Sequence, residues 1–270
     1  MTSQTTFLET VLGKDYKWWY VVKYFYKVDG KYFVNNLLHF LGQTVSIYSA
    51  VLIWNYTNSS AEIISNLILG VILFVITTNS IYWSLGGSIE HGSIAKSLIL
   101  PISLLTYNFF ITTGFTLRIF IYYAIILCPL FFIIPDKLVL NFAPLNIFLL
   151  LLLVVVAILI RYFIAFILGL TSFWTVTIYG QSNLYENMMP LILGVIFPYN
   201  LITVDWLRTS LQLSPWSFIV YHPMQVYLGK YTWLETLYVF LGGIFWCVIL
   251  YLLSKLILKL GLKRNESVGL

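Results

Sequence analysis

The groups in this chain best suited to acid–base, nucleophilic or metal chemistry are few and scattered. Its three histidines, His39, His91 and His222, lie far apart in sequence. A lone histidine is usually a hydrogen-bonded structural residue rather than a ligand or base. Cys128 and Cys247 both fall inside apolar runs, with no Cys-x-x-Cys or Cys/His spacing, and read as small buried hydrophobes rather than redox or metal groups. Gly87 and Gly92 have the spacing of a phosphate-cradling loop, but Ser93 follows where that chemistry needs a lysine for the phosphates. No His-Glu-x-x-His, no Gly-x-Ser-x-Gly and no carboxylate pair at helical spacing occurs. The chain reads as no enzyme, with no cofactor or metal of its own. Energy for any work it does must come from elsewhere.

Charge inside apolar sequence is the next place to look, because such groups are costly in a membrane and tend to be functional. Arg118 lies near the middle of one long apolar run, and Arg161 in the inner half of the next. Both can face a water-filled pathway and attract an anionic headgroup or acidic solute. Alternatively, Arg161 snorkels to the inner surface and Arg118 pairs internally, with Glu186 the candidate partner.

A polar, Gly-rich stretch, residues 82–103 (YWSLGGSIEHGSIAKSLILPIS), separates two apolar runs and is the pivot of the sequence. Gly86-Gly87 opens it and Pro101 closes it, both helix punctuators. Steps of 100° gather Ile94, Ala95, Leu98 and Ile99 on one arc and Glu90, Ser93, Lys96 and Ser97 on the other, which predicts a short amphipathic helix. Ile89 and His91 depart from the pattern. Such a segment is either a solvated loop or a lever gripped by a soluble partner.

The elements that position these groups follow from composition. The chain has 270 residues, 60% hydrophobic and only 9% charged, against roughly a quarter charged in soluble domains. It is therefore expected to be an all-α integral membrane protein. Six spans are predicted at residues 32–56, 63–83, 104–134, 144–173, 184–197 and 234–260. The fifth is short and needs residues 181–183 and those before them to add a turn. No short apolar leader with a small-residue cleavage site is evident, so no signal peptide is expected. Instead residues 14–31 predict an interfacial helix: Lys17, Tyr20, Lys23, Tyr24 and Lys27 share one face, and Trp18, Trp19, Val21, Val22, Phe25 and Tyr26 the other.

Lysine and arginine set the orientation. With the N-terminus inside, Lys14, Lys17, Lys23, Lys27, Lys31, Lys96, Lys255, Lys259, Lys263 and Arg264 are cytoplasmic, while Lys137, Arg208 and Lys230 are outside. The net charge of +5 reads as this bias rather than as nucleic-acid binding. Both termini and the 82–103 stretch are then cytoplasmic. Residues 198–231 form an outer segment broken by Pro198, Pro215 and Pro223 and too apolar for a free loop. The pieces suit helices that dip into the outer leaflet and return, with Trp216 and Tyr221 among the side chains expected to be buried.

Several fragments together resemble the membrane subunit of ABC-2 type exporters, in the branch of bacterial daunorubicin-type permeases. They are residues 92–103 (GSIAKSLILPIS), Ser172-Phe173-Trp174, residues 194–198 (GVIFP), residues 214–223 (SPWSFIVYHP) with 227–230 (YLGK), and the tail 261–269 (GLKRNESVG). In the tail, Asn265 stands where the family usually has Tyr. The resemblance implies one ABC-2 transmembrane domain over residues 1–270, sited in the bacterial cytoplasmic membrane. It implies a second permease subunit, identical or paralogous, and two cytosolic ATPases that carry the ATP and Mg. It also implies a coupling helix in 84–102, with Glu90, His91, Gly92, Ser93, Ile94 and Lys96 at the ATPase, and an outer gate at Pro198, Pro215, Trp216, Tyr221 and Pro223. Cargo would be amphiphilic or hydrophobic. A secondary transporter, which wants broken helices in matching halves, and a lipid-acting membrane enzyme are the alternatives. For the first, only the Pro198 region reads as broken.

Overall fold

A computed structural model describes residues 17–29, 61–133, 143–175 and 177–266, together with Leu38, Val45, Ser49, Leu52, Ile53 and Tyr56, each of them helical. The helices are α1 (Lys17–Asp29), α2 (Ala61–Thr77), α3 (Ile81–Glu90), α4 (Ala95–Leu98), α5 (Leu104–Ile133), α6 (Pro144–Leu170), α7 (Tyr179–Ile192), α8 (Asp205–Leu213), α9 (Tyr221–Tyr227) and α10 (Trp233–Glu266). No strand occurs among the described residues. Among the described residues, three stretches are long and apolar enough to cross a membrane: Ser65–Glu90, interrupted once, Pro144–Phe173 and Trp233–Arg264. α5 has 30 residues, about 45 Å at 1.5 Å per residue.

The helix ends are chemically marked. Pro144 sits in the first turn of α6, where its missing N–H costs nothing and its fixed φ suits the helix. Ser103 Oγ accepts the Thr106 N–H at 3.1 Å at the start of α5. α10 opens on a capping box: Thr232 N–H donates to Glu235 Oε2 at 2.7 Å, and Glu235 N–H returns to Thr232 Oγ1 at 3.4 Å.

α6 is the hub, packed against α10, α3, α9 and α2. Ala157, Ile160, Ala165, Phe166 and Leu170 on it are fully buried. In hydrocarbon, helices associate through close fit and interhelical hydrogen bonds more than through apolar burial. α1 packs separately, against α5. Gly114 makes that crossing possible, because a Cβ there would stand 2.6 Å from the Val22 carbonyl oxygen. Val21 and Val22 are buried while Tyr20, Lys23, Tyr24 and Lys27 are exposed, the faces expected from the sequence.

Several expectations need correction. The second span is not continuous: α2 stops at Thr77, residues 78–80 are non-helical, and α3 restarts at Ile81. Gly86-Gly87 does not end a helix. α3 runs through the pair to Glu90, and Gly86 is pressed so closely on Ile178 and Ser172 that a Cβ would meet them at 2.6 and 2.8 Å. The predicted amphipathic helix is accordingly a turn at 91–94 followed by the single turn α4. The fifth span is α7, 14 residues long, about 21 Å and short of the roughly 30 Å hydrocarbon core. It does include residues 181–183, but ends at Ile192. Apart from the isolated positions named above, the first span lies outside the described residues, as do Lys137 and the side chain of Arg118.

Candidate functional site

The break in the second span is the most chemically specific feature of the molecule. Thr77-Thr78-Asn79-Ser80 carries side chains that hydrogen-bond nearby backbone and compete with helix. Thr77 Oγ1 donates to the Leu73 carbonyl at 2.9 Å, and Thr78 Oγ1 to the Phe74 carbonyl at 2.8 Å. The Thr78 N–H turns in to Val75 at 3.0 Å, tightening the last turn. Into this end comes Arg161 from α6. Its Nη1 donates to the Phe74 carbonyl at 2.9 Å and to Thr77 Oγ1 at 3.0 Å, and its guanidinium lies 4.3 Å from the Phe74 ring centroid. A cation at a helix C-terminus meets both the spare carbonyls and the negative end of the helix dipole. Arg161 is 3% exposed, so it does not snorkel.

Glu186 on α7 is exposed and accepts two hydrogen bonds from α3, from Tyr82 Oη at 2.7 Å and Trp83 Nε1 at 2.8 Å. Its partners are therefore on α3; a pairing with Arg118 falls outside the described residues. Aromatic rings continue this contact: Tyr82 on Tyr185 at 5.1 Å and Trp83 on Tyr179 at 5.8 Å between centroids. Arg161 thus sits at the end of α2 and Glu186 at the start of α3, on either side of the break.

The 90–98 stretch is a compact exposed corner. Gly92 has φ +66°, which favours glycine, and its N–H donates to the Ile89 carbonyl at 3.1 Å. Ile94 is buried at 1% and pins the corner, while Glu90, His91, Ser93 and Lys96 are exposed. Leu98 and Ile99 were expected on the buried arc with Ile94, but they are 41% and 82% exposed. The turn at 91–94 resets the helical phase, so their apolar side faces outward.

Residues 198–231 fold into a 3₁₀ turn (Tyr199–Leu201), α8 and α9. A polar network joins the pieces. His222 Nε2 meets the Gln212 carbonyl at 2.9 Å and its Nδ1 meets Tyr231 Oη at 3.0 Å; Gln212 Nε2 donates to Tyr221 Oη at 2.9 Å, which donates to Asn200 Oδ1 at 3.1 Å. Burial holds His222 below the usual imidazole range, against the opposing pull of the Gln212 carbonyl. Pro198, Tyr221 and Pro223 are buried, Pro215 and Trp216 half-buried, and Phe218, Ile219 and Val220 buried, whereas Trp206 and Leu213 on α8 are 72% and 68% exposed. The proline-aromatic run is the core of this segment, and α8 its outward face.

Among the described residues no three His, Cys, Asp or Glu side chains gather as a metal site. What the structure offers is an interrupted apolar helix, a compact exposed corner and a segment of short helices joined by a polar network. The family model for ABC-2 family transporter proteins matches residues 33–269, and the chain belongs to that family. It is a permease component of an ABC transporter, a class that works with ABC ATPases and is not itself catalytic. No curated protein and no solved structure shows a significant match to the chain.

Proposed function

We propose that the chain is the membrane-spanning subunit of an ATP-driven exporter, moving an amphiphilic or hydrophobic cargo outward across the bacterial cytoplasmic membrane. The family match over nearly the whole chain carries the reading. Two cytosolic ATPases, which hold the ATP and Mg, and a second permease subunit complete the machine. The chain crosses the membrane six times with both termini cytoplasmic, a reading that rests on ten cytoplasmic lysines and arginines against three outside.

In this scheme the exposed corner of Glu90, His91, Gly92, Ser93, Ile94 and Lys96 is the ATPase contact. Ile94 anchors it from within, and the outward Leu98 and Ile99 add apolar contact area. The crossing of α1 on α5 supports a lever that stands clear of the lipid. Gly114 is ten residues from Leu104, about 15 Å along α5. With α1 at the headgroups, the ends of α3 and α5 project into the cytosol by that length. The 198–231 segment re-enters the outer leaflet and closes the pathway, and Arg118 and Glu186 border the cargo route. Arg161 supports that route by holding the split second span.

Purification of the tagged full chain in mild detergent tests this function. Co-elution of a P-loop ATPase and of a second permease, identical or paralogous, is the expected result. A chain that elutes alone from cells expressing its neighbours, with ATP-independent transport, would overturn it in favour of a secondary transporter.

A further inference from the structure

Glu186 on α7 is an exposed carboxylate with only one of its oxygens engaged. Tyr82 Oη and Trp83 Nε1 both donate to Oε1, at 2.7 and 2.8 Å, and among the described residues Oε2 has no donor. Nor does a cation of this chain meet it there. The one ion pair among the described residues joins Arg208 to Asp205, and Arg161, across the break, is bonded to Phe74 and Thr77. Two aromatic rings lie beside the carboxylate. Trp83, which holds Oε1, meets Tyr179 at 61° with 5.8 Å between centroids. Tyr179 and Glu186 are seven residues apart on α7, so they share a face two turns apart, and Trp83 touches both. Tyr179 is 67% exposed, and a Cβ on its neighbour Gly180 would meet nothing within 4 Å. The row of ring, ring and carboxylate is therefore open from outside. On the orientation proposed above, Trp83 is seven residues, about 10 Å, from the cytoplasmic end of α3 at Glu90, at the level of the inner headgroups. A belt of interfacial aromatics accounts for the rings but not for a carboxylate between them without a cation, which is costly at a membrane.

We propose that this row is a binding site for the ammonium head of an amphiphile. The ammonium N–H donates to Glu186 Oε2, a charge-assisted bond, while the carbons next to the nitrogen lie against the rings of Trp83 and Tyr179, whose faces attract a cation. An anionic head is repelled by the carboxylate, and a neutral one gains neither attraction. Two sources carry this group, an aminophospholipid resident in the inner leaflet and an amine-bearing cargo in transit. The binding chemistry stands on the row itself; its depth and its link to a cargo route rest on the transport reading.

The full chain with its co-eluting subunits is placed in phosphatidylglycerol vesicles, which carry no ammonium. It is labelled with a diazirine-bearing long-chain primary amine or with the neutral alcohol of the same length. Without ATP, the amine is expected to label peptides containing Trp83 or Tyr179 and Glu186 about tenfold more than the alcohol, relative to labelling of α10, as one charge-assisted hydrogen bond requires. Glu186→Gln keeps an oxygen for Tyr82 and Trp83 but removes the charge, and should bring the two probes level. Tyr179→Leu, at an exposed ring, should weaken amine labelling and serves should the first variant fail to fold. Equal labelling of the wild type by both probes, no labelling of these peptides, or an unchanged preference in the variants would overturn the site. Added phosphatidylethanolamine separates the sources: displacement of the amine identifies a resident lipid, and resistance to it, with loss of label during ATP turnover, a cargo. Failure of the site would leave co-elution with an ATPase, and with it the exporter reading, untouched.

Discussion

Arg161 on α6 holds the carbonyl of Phe74 on α2 at 2.9 Å, closing the end of a helix 87 residues away in sequence. The bond caps α2 just before the point where the second span is broken. A hydrogen bond from a charged donor contributes roughly 1.5–3 kcal/mol. Arg161→Leu should therefore lower stability by about that amount and reduce the melting temperature of the purified chain, with Arg161→Lys in between because an ammonium lacks the planar fork. A fully stable but transport-dead Arg161→Leu protein would instead place the guanidinium on the cargo.

Gly92→Pro attacks the corner twice. It removes the N–H that bonds Ile89 and imposes a negative φ where the backbone has +66°. Glu90→Lys reverses an exposed charge at the same place. Both variants should assemble with the ATPase partners yet lose ATP-driven transport while hydrolysis continues. Normal coupling in both would remove the corner from the ATPase interface.

The orientation is checked by single cysteines. A membrane-impermeant thiol reagent added outside intact cells should modify a cysteine at Lys137 and spare one at Lys96. The opposite pattern would put the 90–98 corner outside, away from any cytosolic motor.

The 198–231 segment should respond to acid. Burial keeps the His222 imidazole below its ordinary pKa, so the unfolded segment binds a proton more readily than the folded one. Stability is then full above about pH 6.5, the unfolded value, and falls as pH drops below it. Thermal melts at stepped pH should show this slope, and His222→Gln should flatten it. An identical slope in the variant would assign the effect to another group.

Cysteines at Trp216 and Tyr221 should react slowly at rest, as expected for half-buried and buried positions, and faster during ATP turnover if the segment opens. Fast labelling independent of turnover would make it an ordinary loop.

Much of this was legible in the sequence because its signals are local. Pro144 marks a helix start, and lysines and tyrosines set against Val21 and Val22 gave the faces of α1. The break at 78–80 was hidden because Thr-Thr-Asn-Ser, though a concentration of cap formers, sits in an apolar run whose helix also tolerates such residues. What ends the helix there includes Arg161, a partner distant in sequence. Gly86-Gly87 misled for the converse reason: a pair that reads as a breaker lies inside α3, with Gly86 packed against Ile178 and Ser172. The turn at 91–94 likewise rotated Leu98 and Ile99 outward, which no fixed 100° step can anticipate.

The seat of α1 on Gly114 gives the molecule a float. On the proposed placement of α1 at the headgroups, its exposed Lys23 and Lys27 would meet anionic lipid, and the close backbone contact at Gly114 would carry a change in its height to α5. Bilayer composition then becomes a setting on the motor: raising the anionic lipid fraction should draw α1 down and alter coupling efficiency in vesicles. Lys23→Gln with Lys27→Gln should make coupling indifferent to lipid charge, and persistent lipid sensitivity in that double variant would show that the float is elsewhere.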